Sequence, residues 1–403
     1  MSTPNHSDVF ITYAKRTPMG KIAGALAAVR PDDLLAYLFK HFKDECQFDL
    51  NQIDDVIVGC SNQAGEDNRN IARMSLLLAG LPFEVPATTI NRLCASSLDA
   101  TLDAYARIKS GMADCILVGG VESMSRAPYV MSKPACAYDR NQKLYDSSFG
   151  WRFPNPKMQE IFPLYGMGET AEEISKEHTI SRQEQDAFAL ASHQKAISAI
   201  SAGHFKQEIL PITFTQGKQT ISVDTDECPR QDTSLEQLAK LRAVFRKDGT
   251  VTAGNSSPMN DGASALCLVS ETFLKKHNLS PLLRVMGGAA RGLHPNIMGL
   301  GPVYSTQRLC QRYKLKVSDF DVVELNEAFA IQSLACLREL QIPEQKVNLW
   351  GGAIALGHPL GCSGARLVCT LSSIMQKNKK LKKGLASMCV GVGQGVSVAF
   401  ENC

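Results

Sequence analysis

Two cysteines and one histidine, far apart in the chain, each stand in a segment rich in glycine or other small residues. Cys94 lies in NRLCASSLDA, His358 in GGAIALGHPLGCSGAR and Cys389 in MCVGVGQG. Asn326 lies upstream of the histidine in ELNEAFA. A thiol can attack a carbonyl carbon, an imidazole can take up its proton, and a second thiol can exchange a proton with carbon. These residue types are suited to making and breaking C–C bonds next to a thioester.

The position of Cys94 favours a nucleophile. Apolar residues recur at helical spacing after it, at Leu98, Leu102 and Tyr105, and Gly111 ends the pattern, which predicts a helix that begins at the cysteine. Unpaired N–H groups at a helix N-terminus stabilise a thiolate, so we expect a lowered pKa for Cys94. Taken alone, a cysteine at a helix start is more often simply buried, and that alternative stays open here.

The neighbours of His358 indicate a special backbone. Pro359 favours extended geometry at the histidine, so we expect a strand to end there. Gly357 and Gly361 allow other backbone to approach closely. An imidazole so placed is a natural base for a cysteine and a donor to a developing oxyanion, although a lone histidine is usually structural.

Glycines alternate after Cys389, at Gly391, Gly393 and Gly395. Alternating glycines in a strand mark close approach by a ligand or by other backbone. The segment therefore predicts either a thiol held over a substrate as an acid and base, or a bulged strand packed on a neighbour.

The elements that must hold these residues alternate between short apolar runs and amphipathic stretches, which is typical of an α/β fold. Buried strands are predicted at 54–59 and 319–325, followed by helices at 70–80 and 330–340. Each reactive segment, around Cys94 and His358, then follows a further strand and opens a helix. This matched order predicts two similar halves that face each other across the reactive residues.

One segment, richer in Pro, Met and charge, breaks the rhythm and is interpreted as an insertion. It contains a clear helix at 181–200, opened by a Ser–x–x–Glu capping box. The predicted organisation is an N-terminal half, an inserted loop domain and a C-terminal half: 1–120 completed by 250–275, then 121–249, then 276–403.

Composition excludes several classes of protein. The chain has 403 residues, a net charge of +3 and no basic stripe, so nucleic-acid binding is not indicated. Thirteen cysteines without a CxxC pair support neither a metal site nor a disulfide framework. No dinucleotide or P-loop pattern occurs. The N-terminus shows no signal peptide, and no apolar run reaches the ~18 residues of a membrane span, so a cytoplasmic protein is expected.

The four reactive segments, with VTAGNSSPMNDGASAL and VMGGAARGLHPNIMGLGP, resemble the thiolase family along nearly the whole chain. The resemblance implies two pseudo-repeated mixed-sheet α/β halves in a layered core, with an inserted loop domain that binds coenzyme A. It also implies an acyltransferase of fatty-acid β-oxidation or aromatic catabolism that uses CoA and acyl-CoA as substrates. It implies no permanently bound cofactor. It also implies that the protein forms a homodimer or a homotetramer.

The resemblance also implies roles for the reactive residues. The residue matching Cys94 accepts the acyl group, and the one matching His358 activates it and contributes to an oxyanion site. The residue matching Asn326 holds a water that completes this site. The residue matching Cys389 moves the proton at the carbon next to the thioester. The amides matching Cys94 and Gly391 form a second oxyanion hole.

Coenzyme A contacts and departures from the pattern follow from the same resemblance. Arg230 matches a position near the adenine, and Ser257 matches a contact to the pantetheine. Ser97 stands where a glycine is common, and Pro258 where a small residue is usual. Gly166 replaces the histidine of biosynthetic members, which favours a degradative member. The segments QAGEDNRNIAR and GWRFPNPKM look most like the branch that cleaves 3-oxoadipyl-CoA.

The expected reaction is therefore thiolytic cleavage of a 3-oxoacyl-CoA through an acyl group on Cys94. The alternatives are an acetyl-CoA acetyltransferase that works in the condensing direction and, outside catalysis, an acyl-CoA carrier. A decarboxylating ketoacyl synthase is disfavoured by the frame around Cys389. Arg152, in GWRF, is a candidate to bind the carboxylate of a dicarboxylic tail, although it can equally lie on the surface of a loop.

Overall fold

Fourteen strands are found in the described part of the chain. The structure is a computed structural model that describes residues 8–403; residues 1–7, over which part of the signal-peptide prediction falls, lie outside the described residues. The strands are β1 (Val9–Arg16), β2 (Gly20–Lys21), β3 (Asp55–Gly59), β4 (Ala87–Ile90), β5 (Cys115–Ser123), β6 (Tyr129–Met131), β7 (Leu144–Asp146), β8 (Ile212–Gln216), β9 (Gln219–Val223), β10 (Asn260–Ser270), β11 (Leu283–Gly292), β12 (Val322–Leu325), β13 (Lys383–Val390) and β14 (Gln394–Asn402).

Twelve α-helices accompany these strands within the same residues. They are α1 (Pro31–Glu45), α2 (Ile71–Leu78), α3 (Ser96–Lys109), α4 (Pro156–Ile161), α5 (Met167–Glu177), α6 (Arg182–Ser201), α7 (Leu235–Ala239), α8 (Glu271–Lys276), α9 (Gly301–Tyr313), α10 (Ala330–Leu340), α11 (Ala353–Leu356) and α12 (Leu360–Lys377). No helix among the described residues is long and apolar enough to cross a membrane.

The main sheet contains ten strands whose order reveals two similar halves. The order is β12-β13-β14-β11-β1-β10-β5-β3-β4, with β2 beside β10. In one half β3 and β5 are parallel, and β10 and β1 follow antiparallel; in the other, β12 and β13 are parallel, and β14 and β11 follow antiparallel. The halves join where β1 pairs with β11. This confirms the predicted repeat and the mixed-sheet architecture.

The apolar side chains of the strands alternate between two faces, because successive strand residues point to opposite sides. In β5, Ile116 and Val118 join a central core with α3 and α12, whereas Leu117 and Val121 join an outer core with α1 and α2. A third core packs α9 and α10 on the other half of the sheet. Helices therefore lie between the two halves of the sheet and on both outer faces, which gives the layered core.

Most predicted elements agree with the structure, and the differences lie before His358 and after Cys389. The helices expected at 70–80, 181–200 and 330–340 are confirmed as α2, α6 and α10, and α6 begins with the predicted capping box. The prediction of a strand before the histidine is wrong. Only an isolated bridge between Val323 and Val347 remains there, and α11 precedes His358 instead.

The segment between β5 and β10 carries elements of its own. It holds two hairpins, β6–β7 and β8–β9, and helices α4 to α7. The chain returns to the sheet through β10, which lies between β1 and β5. In the second half the equivalent connection, between β13 and β14, is only a short turn. The inserted segment therefore distinguishes the two halves.

Candidate active site

Cys94 stands directly before α3. A 3₁₀ turn at Leu93–Ala95 connects β4 to the helix, and the Ser96 hydroxyl accepts a hydrogen bond from the Arg92 amide at 2.9 Å. The backbone of Leu93 is left-handed, with φ of 46°, which a leucine rarely adopts. This strained turn presents the partly buried Cys94 to a cavity.

The thiol of Cys94 is not ionised in the unliganded protein. Burial raises its pKa to about 11, although hydrogen bonds from the backbone amides of Gly391 and of Cys94 itself act in the opposite direction. The expected lowering of the pKa at the helix N-terminus is therefore wrong for this state, because desolvation exceeds the effect of the amides.

His358 occupies the link between α11 and α12. Its amide donates to Oδ1 of Asn260 at 2.8 Å. Gly357, immediately before it, has φ of 105°, and a Cβ there would lie 2.6 Å from the Asn260 amide group. A glycine is thus required at this position, and the close approach to Asn260 fixes the backbone of the histidine.

The tautomer of His358 follows from its neighbour Ser363. Nδ1 of the histidine lies 2.6 Å from the Ser363 hydroxyl, which itself donates to the carbonyl of Pro359 at 2.9 Å. Because the Ser363 hydroxyl donates its one proton to Pro359, it can only accept from the histidine, so Nδ1 carries the proton. The other ring nitrogen, Nε2, is then unprotonated and can act as a base. Burial and the nearby Arg366 lower the pKa of His358 to about 3, so the ring is a neutral base.

Asn326 lies against this imidazole. Its Nδ2 is 3.4 Å from both ring nitrogens of His358, and its backbone amide donates to the carbonyl of Ser387 at 3.0 Å. Its Oδ1 is buried and has no hydrogen-bond partner among the described residues. A buried polar atom without a partner is commonly satisfied by an ordered water, which fits the water site that the family resemblance implies.

Cys389 lies on β13 and pairs in register with Gly395 on β14. Its side chain is buried, and burial together with the nearby Cys94 raises its pKa well above the usual range. The sequence predicted that the glycines after Cys389 alternate within a strand, and this prediction is wrong. Gly391–Gly393 instead form the turn between β13 and β14. Val392 and Gly393 both have positive φ, of 62° and 77°, which reverses the chain tightly.

A central cavity of about 390 Å³ brings the reactive side chains together. Cys94, His358 and Cys389 line it, with Ser257 and Arg230. Neither Asn326 nor Gly391 lines this cavity: Asn326 is buried beside the histidine, and Gly391 faces a neighbouring cavity. The three ionisable groups are thus exposed to one common space.

Two further cavities adjoin the central one. A cavity of about 440 Å³ shares Arg230 and Pro258 with it and is lined also by Lys21. A smaller cavity of about 230 Å³ shares Cys94 and Met167 with it. Cys94 therefore lies where the small and the central cavities meet, and a molecule bound in one can extend past the thiol into the other.

Glu122, at the end of β5, organises the wall of this junction. Its carboxylate accepts hydrogen bonds from the amides of Ser61, Asn62 and Gly361 at 2.8–3.0 Å, and from the Ser61 hydroxyl at 2.6 Å. Burial raises its pKa, although these hydrogen bonds oppose the shift. Sequence reasoning missed this role, and that of Ser363, because neither residue type nor spacing reveals which amides converge on a side chain.

Comparison with known proteins gives one family. The family model for the thiolase N-terminal domain matches residues 9–272, and that for the thiolase C-terminal domain matches residues 279–402. The chain is 53% identical to a beta-ketoadipyl-CoA thiolase of Pseudomonas putida, over 98% of this chain and 99% of that protein. It is 48% identical to a 3-oxoadipyl-CoA/3-oxo-5,6-dehydrosuberyl-CoA thiolase of Escherichia coli, over 98% and 99% of the two chains.

Solved structures show the same fold. The crystal structure of human mitochondrial 3-ketoacyl-CoA thiolase superposes with a TM-score of 0.92 at 39% identity, and the match covers 98% of this chain and 99% of that one. The crystal structure of the Bacillus anthracis acetyl-CoA acetyltransferase has the same TM-score at 37% identity and is matched over the full length of both chains.

Proposed function

The chain belongs to the thiolase family and is an acyltransferase that cleaves a 3-oxoacyl-CoA with CoA, and we propose that its substrate is 3-oxoadipyl-CoA. The products are then acetyl-CoA and succinyl-CoA. The observation that supports this proposal best is the position of Cys94 between two cavities, with a base and a second thiol on the central one. The names of the two bacterial relatives at 53% and 48% identity support the dicarboxylic substrate.

The first half of the reaction begins at Cys94. Its thiol attacks the ketone carbon while Nε2 of His358 takes up the proton, which avoids a free thiolate in a buried site. The bond between the ketone carbon and the carbon next to the thioester then breaks. The acyl group stays on the cysteine, and acetyl-CoA leaves as its enolate.

The enolate must be stabilised and then protonated. His358, now protonated, and a water on Asn326 are suited to donate hydrogen bonds to the enolate oxygen. Cys389, on the same cavity, supplies the proton to carbon. The amides of Cys94 and Gly391, which already point at the sulfur, are suited to hold the oxyanion that forms on the acyl group.

The second half transfers the acyl group to CoA. Two cationic side chains, Lys21 and Arg230, line the adjoining cavity against one carboxylate, Glu227, and this excess of positive charge suits the phosphates of CoA. The cavity continues into the central one past Pro258. Ser257, whose amide donates to the carbonyl of Ala328 at 3.0 Å, lies on the path towards the thiol. CoA thus reaches Cys94 from the side opposite the small cavity, and the acyl group occupies the small cavity.

Steady-state kinetics with three substrates test the proposal. The purified protein is assayed with 3-oxoadipyl-CoA, 3-oxohexanoyl-CoA and acetoacetyl-CoA, and products are identified by chromatography. The first two substrates have the same chain length and differ in the distal carboxylate. We expect the highest kcat/KM with 3-oxoadipyl-CoA. If acetoacetyl-CoA is preferred instead, and is made efficiently from acetyl-CoA, the chain is an acetyl-CoA acetyltransferase.

We further infer a homodimer or homotetramer in the cytoplasm, without a permanently bound cofactor. Unpaired thiols at all thirteen cysteines support a reducing compartment. An exposed apolar group beside the edge strand β4, formed by Leu77, Leu78 and Phe83, supports burial between subunits. Light scattering of the purified protein and cell fractionation test these inferences.

The organisation into 1–120 with 250–275, 121–249 and 276–403 is part of the same proposal. The position of β10 between β1 and β5 supports it, because the chain leaves the first half and then returns to complete it. Limited proteolysis should cut first within the inserted segment, at its exposed loops.

A further inference from the structure

The small cavity beside Cys94 has a mixed lining with a single cationic side chain. It is lined by three serines, by Asn62, by six apolar side chains, by three glycines, by Cys94 and by Arg152. No aspartate or glutamate is among these residues. The cavity therefore offers a guanidinium to a ligand, together with hydroxyl groups and apolar walls.

The guanidinium of Arg152 makes few contacts with other groups of the protein. Its Nη1 donates to the carbonyl of Ser147 at 3.0 Å. Within residues 8–403, no carboxylate forms an ion pair with it, and it is half-buried. A guanidinium that lines a cavity without a carboxylate partner can bind an anion there, because it carries five donors and keeps its charge.

The guanidinium is held in place through a chain of hydrogen bonds. Glu122 accepts from the amide of Asn62 at 3.0 Å, and Nδ2 of Asn62 donates to the hydroxyl of Ser147 at 3.1 Å. Ser147 in turn offers its carbonyl to Arg152. Trp151, the preceding residue, donates through Nε1 to the carbonyl of Tyr165 at 3.0 Å. Arg152 is thereby fixed to the same buried carboxylate that shapes the wall next to the nucleophile.

The length of the substrate fits this small space. In 3-oxoadipyl-CoA, three C–C bonds of about 1.5 Å each separate the ketone carbon that Cys94 attacks from the carbon of the distal carboxylate. A span of roughly 4–5 Å is short enough to lie within the cavity of about 230 Å³ that both Cys94 and Arg152 line. An uncharged acyl tail of the same length would leave Arg152 without its partner.

We propose that Arg152 binds the distal carboxylate of the acyl group and makes the enzyme selective for 3-oxoacyl-CoA substrates with a dicarboxylic tail. This inference rests on the proposed function, since it concerns the substrate of the same site. A two-pronged contact between guanidinium and carboxylate is strong and directional, and its loss affects only substrates that carry the charge.

The test compares two substrates of equal length in several variants. Wild type, Arg152→Met and Arg152→Lys are assayed with 3-oxoadipyl-CoA and 3-oxohexanoyl-CoA, and the ratio of the two kcat/KM values is the readout. We expect Arg152→Met to lower this ratio at least about 30-fold, because breaking a desolvated charge pair weakens binding on that scale. Arg152→Lys keeps the charge but not the two-pronged geometry, so its ratio of kcat/KM values should lie between those of wild type and Arg152→Met.

Arg140→Met is the matched control, because Arg140 is exposed in the same inserted segment and lies outside the three cavities. Its ratio should equal that of wild type. A wild-type enzyme that does not prefer 3-oxoadipyl-CoA would remove the proposed substrate. A wild-type enzyme that prefers it, combined with an unchanged ratio in Arg152→Met, would overturn the role of Arg152 alone. An equal loss of kcat/KM on both substrates would also overturn it, because it would show that Arg152 only supports the structure.

Discussion

The resting active site holds two neutral thiols and a neutral imidazole. Burial raises the pKa of Cys94 to about 11 and lowers that of His358 to about 3, so no thiolate–imidazolium pair exists before the substrate binds. In the proposed mechanism the proton therefore moves from the sulfur of Cys94 to Nε2 of His358 only as the carbonyl carbon is attacked. A neutral thiol is a poor target for oxidants and alkylating agents, so this arrangement protects the nucleophile between turnovers.

Replacement of Cys94 by serine should abolish thiolysis. A hydroxyl is not deprotonated near neutral pH, and the neutral imidazole is too weak a base to compensate, so we expect kcat to fall at least about 1000-fold. Incubation of wild type with acyl-CoA should give one acyl adduct by intact mass spectrometry, absent in the variant. Cys136→Ser, at an exposed cysteine, is the control. Retention of the adduct in Cys94→Ser would assign the nucleophile elsewhere.

Replacement of Cys389 by alanine should separate the two chemical steps. We expect acylation of Cys94 by a saturated acyl-CoA to persist, while exchange of the acetyl-CoA methyl protons with solvent is lost, because only the second step needs the other thiol. Deuterium incorporation measured by NMR checks this, with Cys336→Ala as a buried control outside the three cavities. Exchange at the wild-type rate would contradict the division of labour.

The sequence predicted side chains that meet at the central cavity, but it did not predict their protonation. The frames around Cys94, His358 and Cys389 depend on local residue types, which can be read directly. The pKa of each group depends on how many neighbours exclude water, and Ser363 acts on the histidine through a contact that exists only after folding. Burial therefore reversed the expected direction of the Cys94 shift.

Helices were predicted more accurately than the connections that hold the active site. The capping box at Ser181 marks the start of α6, and the buried residues of α2, at 71, 72, 75 and 76, recur at helical spacing. The apolar run before His358 has no such period, and it forms α11 where a strand was expected. The turn at Gly391–Gly393 was likewise interpreted as strand, because glycine is compatible with a strand bulge and with a hairpin turn alike.

Helix α6 carries a buried histidine that should make stability depend on pH. Nδ1 of His193 accepts from the amide of Arg230 at 3.2 Å, and burial lowers the pKa of His193 from 6.5 to about 4. The unfolded chain takes up this proton as the pH falls through 6.5, whereas the folded chain takes it up only near 4. Stability is therefore lost as the pH falls across this window, by about 2 kcal/mol at pH 5.

His193→Gln should reduce this loss. Glutamine keeps an acceptor for the Arg230 amide but does not titrate. Urea unfolding of wild type and variant at pH 7 and pH 5 measures the difference, and the variant should lose about 2 kcal/mol less on acidification. Parallel losses in the two proteins would show that other groups account for the acid sensitivity.

The two halves of the molecule have the same strand order but divided roles. Cys389 ends β13 at the position that Glu122 occupies at the end of β5, because β5 and β13 are equivalent in the repeat. Likewise Cys94 and His358 each precede a helix of the central layer. One half thus contributes the proposed nucleophile and a structural carboxylate, and the other contributes the proposed base and the second thiol. The repeat could be read from sequence, but this exchange of roles depends on register.

A buried charge cluster attaches the inserted segment to the sheet. Arg16, at the end of β1, contacts Glu208 at 2.7 Å and Asp226 at 2.6 Å, and all three side chains are completely buried. Both carboxylates belong to the segment between β5 and β10. The cluster therefore couples the part of the chain that lines the cavity proposed for CoA to the centre of the molecule.

Arg16→Met should destabilise the whole protein, because it leaves two buried carboxylates without a cation. We expect a loss of about 3–5 kcal/mol in the free energy of unfolding. Arg338→Met removes an exposed ion pair with Glu184 and should cost about 1 kcal/mol or less. Urea unfolding measures both, and limited proteolysis of Arg16→Met should show earlier cleavage of the inserted segment, since its anchor is lost. Equal stability of the two variants would mean that apolar packing alone holds the inserted segment on the sheet.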